Sequence, residues 1–300
     1  MPKVSICVPT YNNPEEVSRL LASVKEQVYT DYEVILTDDS RDDRIEELTK
    51  RLTKQEPEFG CRLRYFHNST QLGHIFNWNE AISHAEGEYI KIMFSDDWFT
   101  GSDSLKKMTE ALDANPRAAM VFSGNLQVSE QNTYARKPDP GYVEKLREDY
   151  RYLFVSNQVG APSNTMYRAA EGIAFDEHSN WASDVFLYME ILGRNPQFVF
   201  LEEPLISIGI HENQYTESFA SKDPRIFGDY RYMFEKYGLA KVPMLREYFL
   251  TRYLVRYKNG SKEAVSCGYG RKEFHKARAA YYRKEVLPCY LNAIKRRIGR

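Results

Sequence analysis

The sequence predicts an α/β fold: a mostly parallel sheet flanked by helices, followed by a helical C-terminal appendage. Three observations carry this. Apolar strand-like runs alternate with amphipathic segments over roughly the first half of the chain, at the spacing of a parallel sheet with helices on both faces. Two of those runs end in acidic pairs, Asp38-Asp39 and Asp96-Asp97. From about residue 220 onward the pattern is helical and basic.

The elements follow in order. Val4-Ser5-Ile6-Cys7-Val8 reads as a buried first strand. Pro9-Thr10-Tyr11-Asn12-Asn13-Pro14 is a turn cluster. A helix is expected over 14–27, with Asn13 at the N-cap, Pro14 at the first helical position and Glu15-Glu16 in the first turn. Strands are expected over 32–37, 62–67 and 88–94, and helices over 42–55, 73–85 and 102–114. A strand near 118–123 precedes an irregular stretch, 125–160, marked by Lys137-Pro138-Asp139-Pro140-Gly141. Strands over 163–168 and 197–202 bracket a helix over 182–193, and a further strand runs over 204–210. Breaks in the helical end fall at Asn259-Gly260 and Gly268-Tyr269-Gly270.

Composition narrows the class. The chain is 42% hydrophobic and 28% charged, which is ordinary for a globular protein. No stretch approaches the ~18 consecutive apolar residues of a spanning helix. The first residues run straight into a strand, so no secretory signal is expected. Cys7, Cys61, Cys267 and Cys289 are widely spaced, without paired metal-ligand spacing. A reducing, cytoplasmic compartment fits. Residues 241–300 hold 16 Lys/Arg against 4 Glu, a net of +12, which leaves −13 for the rest. Such an end suggests an anionic partner: a membrane surface, nucleic acid, or an acidic face of another subunit.

In open α/β sheets, ligands bind beyond the carboxyl ends of the strands. Two carboxylate clusters there suit a nucleotide diphosphate with Mn²⁺ or Mg²⁺, cations that prefer carboxylate and phosphate oxygens. The bland alternative for Asp96-Asp97 is helix capping, which Ser102 and Asp103 are placed to do instead.

The residues above resemble family 2 glycosyltransferases with the GT-A, Rossmann-like fold. The likeness rests on Val4–Asn12 as the opening strand and loop, and on Val34–Ser40 with its Asp-Asp end. It continues through Asn77-Trp78-Asn79-Glu80-Ala81-Ile82 and Ala85–Ile90 to Ser95-Asp96-Asp97, in the place of the Asp-X-Asp motif. It covers about residues 3–215, four motifs in order. The resemblance implies that Pro9, Thr10 and Tyr11 contact the donor's base and ribose, and that Asp39 accepts the ring N–H of uracil or thymine. It implies Asp96 near the ribose and diphosphate, and Asp97 on the metal. Asp184 keeps the place of the general base of an inverting transfer, with Ser183 where a Glu is usual. Its alternative is a helix-start acid. His211, in the polar run His211-Glu212-Asn213-Gln214-Tyr215-Thr216, resembles a residue that approaches the metal or diphosphate. His67 and His74 have weaker claims. Trp181 is placed to stack on an acceptor sugar, or to pack in the core.

The expectation is therefore a catalytic domain over 1–218, with a nucleotide-sugar half (about 1–100) and an acceptor half (about 101–218), and a helical basic region over 219–300. Its substrates would be a nucleotide-diphosphate sugar and a glycan or lipid-linked acceptor. The basic end would make a peripheral contact with anionic membrane on the cytoplasmic side. Nucleic acid is not expected as a partner, and a homo-oligomer is compatible. Nucleotidyl transfer is the rival chemistry, but the first loop has neither Gly nor Lys to cradle phosphates. A non-catalytic sugar-nucleotide-binding module is the other alternative, against which the joint presence of Asp39, Asp96, Asp97 and Asp184 argues.

Overall fold

The computed structural model describes residues 1–170, 172–212, 214, 219–220, 223–257 and 259–288. Two compact units emerge. One comprises Met1–Ser179 with Ser183–Ser218, the other Asn180–Ala182 with Phe219–Arg300.

The first unit is built on a sheet with β1 (Val4–Thr10), β2 (Tyr32–Asp38), β3 (Leu63–His67) and β4 (Tyr89–Ile92) on one side. These run parallel in the order β3-β2-β1-β4. Helices α1 (Pro14–Lys25), α2 (Arg44–Gln55), the single turn α3 (Pro57–Gly60) and α4 (His74–Ser83) connect them. Alternation sorts the strand side chains. Val4, Ile6, Val8, Val34 and Leu36 join Val17, Leu20, Leu21 and Val24 of α1 in one core. Cys7 and Thr37 point the other way, onto the α4 carbonyls of Ala81 and Asn77. Helices thus cover both faces.

After β4 come β5 (Trp98–Phe99), α5 (Ser104–Ala114), β6 (Met120–Val128), β7 (Thr133–Arg136), α6 (Pro140–Glu148), β8 (Thr165–Arg168), α7 (Ser183–Arg194) and β9 (Phe198–Gly209). The sheet continues β4-β8-β6-β9-β5, with β7 on β6. Strand β8 runs antiparallel to both neighbours, while β6 and β9 are parallel. The two strands expected over 197–202 and 204–210 form one long β9 instead. Pro204 has no N–H for the ladder, and the register slips opposite it at Gly124. A Cβ on Gly124 would stand 2.7 Å from the Glu202 carbonyl oxygen, so this bulge requires glycine.

The second unit holds α8 (Pro224–Lys236), α9 (Pro243–Phe249), α10 (Ser261–Ser266) and α11 (Arg271–Tyr281). Asp223 caps α8 by accepting the Arg225 N–H at 2.8 Å, with Pro224 next in line. Helix α9 runs on as a π-helical turn, Leu250–Val255. Its core is aromatic: Phe234 stacks on Phe249 at 4.2 Å and Tyr230 on Tyr253 at 4.3 Å. The helix breaks fall where Asn259-Gly260 and Gly268-Tyr269-Gly270 place them. Cys289 and Tyr290 lie outside the described residues.

Candidate active site

Strand β1 has β2 on one side and β4 on the other, so the sheet order reverses beside it, a switch point where such folds open a crevice. Its rim is built from the ends of β1, β2, β4 and β9.

At β1, Pro9 and Thr10 are still in the strand. Pro9 is buried. The Thr10 hydroxyl donates to the Thr37 carbonyl at 3.0 Å, so it faces inward. Tyr11 projects, 51% exposed. Asn12 and Asn13 follow with φ of 57° and 54°, the left-handed region that asparagine tolerates. Asn13 precedes α1 as expected, but its side chain reaches Glu16 rather than a backbone N–H.

At β2, both carboxylates are committed to donors of the chain. Asp38 accepts the Ser40 N–H at 2.9 Å and the Tyr65 hydroxyl at 2.8 Å. Burial, then the bond to Asp38, pushes the Tyr65 phenol far up. His67 stands at the same carboxylate, Nδ1 3.8 Å away. Asp39 accepts N–H groups from Leu72 at 2.7 Å and Gly73 at 2.8 Å, and the Asn68 amide at 2.9 Å. It thereby ties down the 68–73 loop that leads into α4, where Gly73 sits at φ 86°. Asn77 completes this anchor, bonding the Thr10 carbonyl and the Asn68 amide at 3.0 Å each. His74 packs edge-on against Trp78.

Beyond β4 the second pair divides. Asp97 is only 2% exposed. It accepts the Gly209 N–H at 3.3 Å. Burial, followed by repulsion from Asp96, holds its carboxyl well above the usual range, against the pull of Ser163, Gly209 and Lys91. Lys91 is fully buried, pulls electrostatically on Asp97, and donates to the Ser163 and Thr165 carbonyls. Burial draws its ammonium down to about 7.

Asp96 faces outward. Its Oδ2 lies 3.3 Å from His211 Nε2 and 3.3 Å from the Gln214 amide. Its carbonyl accepts Arg19 at 2.9 Å, and the Arg19 guanidinium stacks 4.0 Å over Trp98. A Cβ on Gly209 would meet that carbonyl at 2.5 Å, so only glycine lets β9 cross here. His211 Nε2 is buried without a hydrogen-bond partner, although Asp96 and Glu16 carboxylates lie 3.3 and 3.7 Å away. Asp97, expected on the metal, has an enclosed carboxyl, while the Asp96 carboxylate next to it faces His211.

A carboxylate and an imidazole whose ring nitrogen is orphaned suit Mn²⁺, which accepts nitrogen and oxygen donors. Among the described residues no set of three or more His, Cys, Asp and Glu is arranged to hold an ion. Two protein ligands plus phosphate oxygens and water is the arrangement such cations adopt on nucleotides. The residues fit.

Asp184 occupies the first turn of α7, half-buried. Its Oδ2 accepts the Asn157 amide at 2.6 Å. Asn157 is fixed by exchange with Gly160 (φ 93°), whose carbonyl also takes the Tyr188 hydroxyl at 2.9 Å. Six residues beyond Asn157, Ser163 receives the Phe94 N–H at 3.0 Å as well as Lys91. One segment thus touches both Asp184 and the acidic turn after β4. Ser183, expected on the acceptor side, is buried. Trp181 belongs to the second unit. Its ring is 36% exposed and tilted against Tyr230, and its N–H donates to Asp229 at 2.7 Å. Asn213, Tyr215 and Thr216 lie outside the described residues. Nothing local in the chain pointed to Asn157, Lys91 or Arg19. Asn77 lay in a recognisable run, without a role.

A crevice at a parallel-sheet switch point, rimmed by carboxylates, defines the nucleotide-binding class of α/β proteins. More particularly, the chain belongs to glycosyl transferase family 2, whose profile matches residues 5–171. An Escherichia coli relative, the UDP-Glc:alpha-D-GlcNAc-diphosphoundecaprenol beta-1,3-glucosyltransferase WfgD, is 23% identical over 86% of this chain and 98% of its own length. The GalNAc(5)-diNAcBac-PP-undecaprenol beta-1,3-glucosyltransferase of Campylobacter jejuni is 28% identical over 49% of this chain, and the match spans 46% of that protein. Among solved structures, residues 1–349 of S. aureus TarS in complex with UDP-GlcNAc superpose with a TM-score of 0.64 at 19% identity, covering 92% of this chain and 79% of that one. A Pyrobaculum calidifontis mannosyltransferase in complex with GDP-Man and Mn²⁺ gives 0.60 at 15% identity, covering 96% and 83%. The GT-A fold and the class, a nucleotide-sugar-dependent glycosyltransferase, follow from the family.

Proposed function

We propose that this protein transfers a hexose from a pyrimidine nucleoside-diphosphate sugar, UDP or dTDP, to a hydroxyl of a growing lipid-linked glycan, with inversion. The observation that carries the reading furthest is the outward carboxylate of Asp96 facing the unpartnered ring nitrogen of His211. These two residues would hold Mn²⁺ or Mg²⁺. The cation supplies charge neutralisation for the departing diphosphate, with no proton delivered to it.

The chain's own groups do the rest. Asp39 has three of its roughly four acceptor positions filled by Leu72, Gly73 and Asn68, which leaves one for the N–H of uracil or thymine. Tyr11 is exposed and free to lie over the base, while Pro9 and Thr10 shape the loop from beneath. Asp184 takes the proton of the acceptor hydroxyl as that oxygen forms its bond to the anomeric carbon. The bond to the diphosphate breaks on the opposite side, and its electron pair leaves with the phosphate oxygen. Asn157 keeps the carboxylate oriented for this. Two relatives are named for undecaprenyl-diphosphate-linked acceptors, which supports an acceptor of that kind at the cytoplasmic membrane surface.

The test has two stages. UDP, dTDP and GDP are titrated calorimetrically with and without Mn²⁺, and the pyrimidine nucleotides should bind more tightly, only with metal. Transfer from UDP-hexoses to an undecaprenyl-diphosphate sugar is then compared in wild type and Asp184→Asn. The variant should bind UDP normally and lose roughly 10²–10⁴-fold in turnover, the range for a positioned acid–base group. Transfer at the wild-type rate would place the base elsewhere. Binding without transfer or donor hydrolysis would favour a non-catalytic module.

A further inference from the structure

Helix α11 and the π-helical turn that continues it, Tyr282–Val286, differ from the rest of the second unit. The only buried side chain of α11 is Phe274, and the continuing turn has none. Six cations, Arg271, Lys272, Lys276, Arg278, Arg283 and Lys284, are exposed along it. None of the six has an ion-pair partner among the described residues, whereas Lys3, Arg64, Lys107 and Arg168 of the first unit all do.

Three of the apolar residues outside the packed face line up, while Ala280 is exposed off that line. Ala279, Tyr282 and Val286 follow i, i+3, i+7 spacing and share one strip of the helix. Tyr282 is 62% exposed. At helical geometry Arg271 and Arg278 fall along one border of that strip, and Lys272, Lys276 and Arg283 along the other. An aromatic-bearing apolar strip between two rows of cations is the surface that lies in a lipid headgroup layer. The apolar strip enters the acyl boundary, and the long basic side chains reach phosphates on either side. A nucleic-acid surface would put cations at the centre of contact instead of an apolar strip. No described helix is long and apolar enough to cross a membrane, so the contact is peripheral.

We propose that the 271–286 helix docks this protein on anionic phospholipid, through Tyr282 and its flanking cations. The proposal is independent of the transfer chemistry. Docked chain and lipid-linked acceptor would share one surface, which raises the effective concentration of one for the other.

The test uses the full chain and vesicles of phosphatidylcholine with or without phosphatidylglycerol. The wild type should sediment with the anionic vesicles at low salt and not with the neutral ones. Raising NaCl to about 0.5 M should release it, because screening shortens the reach of the cations. The triple variant Lys272→Ser, Lys276→Ser, Arg283→Ser should lose about tenfold or more in vesicle affinity, since each cation near such a surface contributes a several-fold factor. Tyr282→Ser should lose a smaller factor while leaving the salt dependence intact. All four residues are exposed, and unchanged thermal melting would show that the variants fold. Wild type that stays in the supernatant overturns the proposal, as does a triple variant that sediments like wild type. So does a wild-type dimer in gel filtration that the triple variant abolishes, with no vesicle binding. That result assigns the surface to a second copy of the chain. Binding to a short oligonucleotide but not to vesicles also overturns it.

Discussion

The two acidic pairs lie at the end of β2 and just beyond β4, the strands on either side of β1, yet they have opposite fates. Asp38 and Asp39 spend their oxygens on the chain itself: a backbone N–H and a phenol for one, two backbone N–H groups and an amide for the other. They organise loops. In the second pair Asp97 is buried, and Asp96 is left facing His211, Gln214 and Glu16 across an unpartnered nitrogen. A dipeptide does not reveal which carboxylate meets the ligand. The donors that fold around it decide that.

The largest effect that would break this contrast lies at Asp96. Asp96→Ala and His211→Ala should each abolish most Mn²⁺-dependent UDP binding. The expected loss is beyond the roughly 10–100-fold that follows removal of a mere supporting partner. Asp97→Asn should change that affinity little, because an amide is a close substitute for an enclosed carboxyl whose charged form burial disfavours. Calorimetric titration of the three variants separates the assignments. If Asp97→Asn loses metal-dependent binding and Asp96→Ala keeps it, the pair has the reverse division of labour.

A smaller effect tests the first pair. Asp39→Ala would strand the Leu72 and Gly73 N–H groups and the Asn68 amide. Leaving buried donors unpaired costs about 1–3 kcal/mol each at most, and water reaching the loop would recover part of it. The denaturation midpoint should therefore fall for Asp39→Ala and stay near wild type for Asp96→Ala. Equal midpoints would mean that Asp39 is not the anchor its bonds describe.

How much of this was legible in the sequence follows the range of the interactions. Strands β1, β2 and β4 are short apolar runs whose ends are marked by Pro, Asn and Asp, so period and punctuation located them and their acidic ends. The break at Gly268-Tyr269-Gly270 was equally local. What could not be read were contacts made across long stretches of chain. Lys91 looked like a polar residue in a strand, and only the fold brings the Ser163 and Thr165 carbonyls to it. Asn157 acquires meaning from Asp184, Arg19 from the Asp96 carbonyl, and Gly209 from the crossing of β9 over that turn. The merging of two strands into β9 depended on a bulge partner in β6. The different surroundings of Asp96 and Asp97 have the same origin. Neighbours in sequence, they point into different environments supplied by distant segments.

The smallest effect bears on why Asp97 is withdrawn. Burial draws the Lys91 ammonium down to about 7, from an ordinary value of 10.5. Above neutrality the unfolded chain then holds a proton on Lys91 that the folded chain has released. Stability changes with pH in proportion to the protons bound by the unfolded state minus those bound by the folded state, so this group makes stability rise with pH. The window closes near the ordinary thiol value of 9.0, because the buried Cys7 thiol is pushed up and its contribution falls with pH beyond that point. From about pH 7 to about pH 8.5 the Lys91 contribution should be about 1–2 kcal/mol, given about 1.4 kcal/mol per fully differential proton and pH unit, and because the raised Asp97 carboxyl acts in the opposite sense it is read as the difference between wild type and a variant without the ammonium. Lys91→Met should remove that contribution, so wild type should gain on the variant by that amount across the window. Urea denaturation of wild type and variant at the two pH values reads the difference directly. If the wild-type slope is no steeper than that of Lys91→Met, Lys91 stays charged in the folded protein. Asp97 would then be its ionised partner, and the contrast between an enclosed carboxyl and an outward one would fail at this turn.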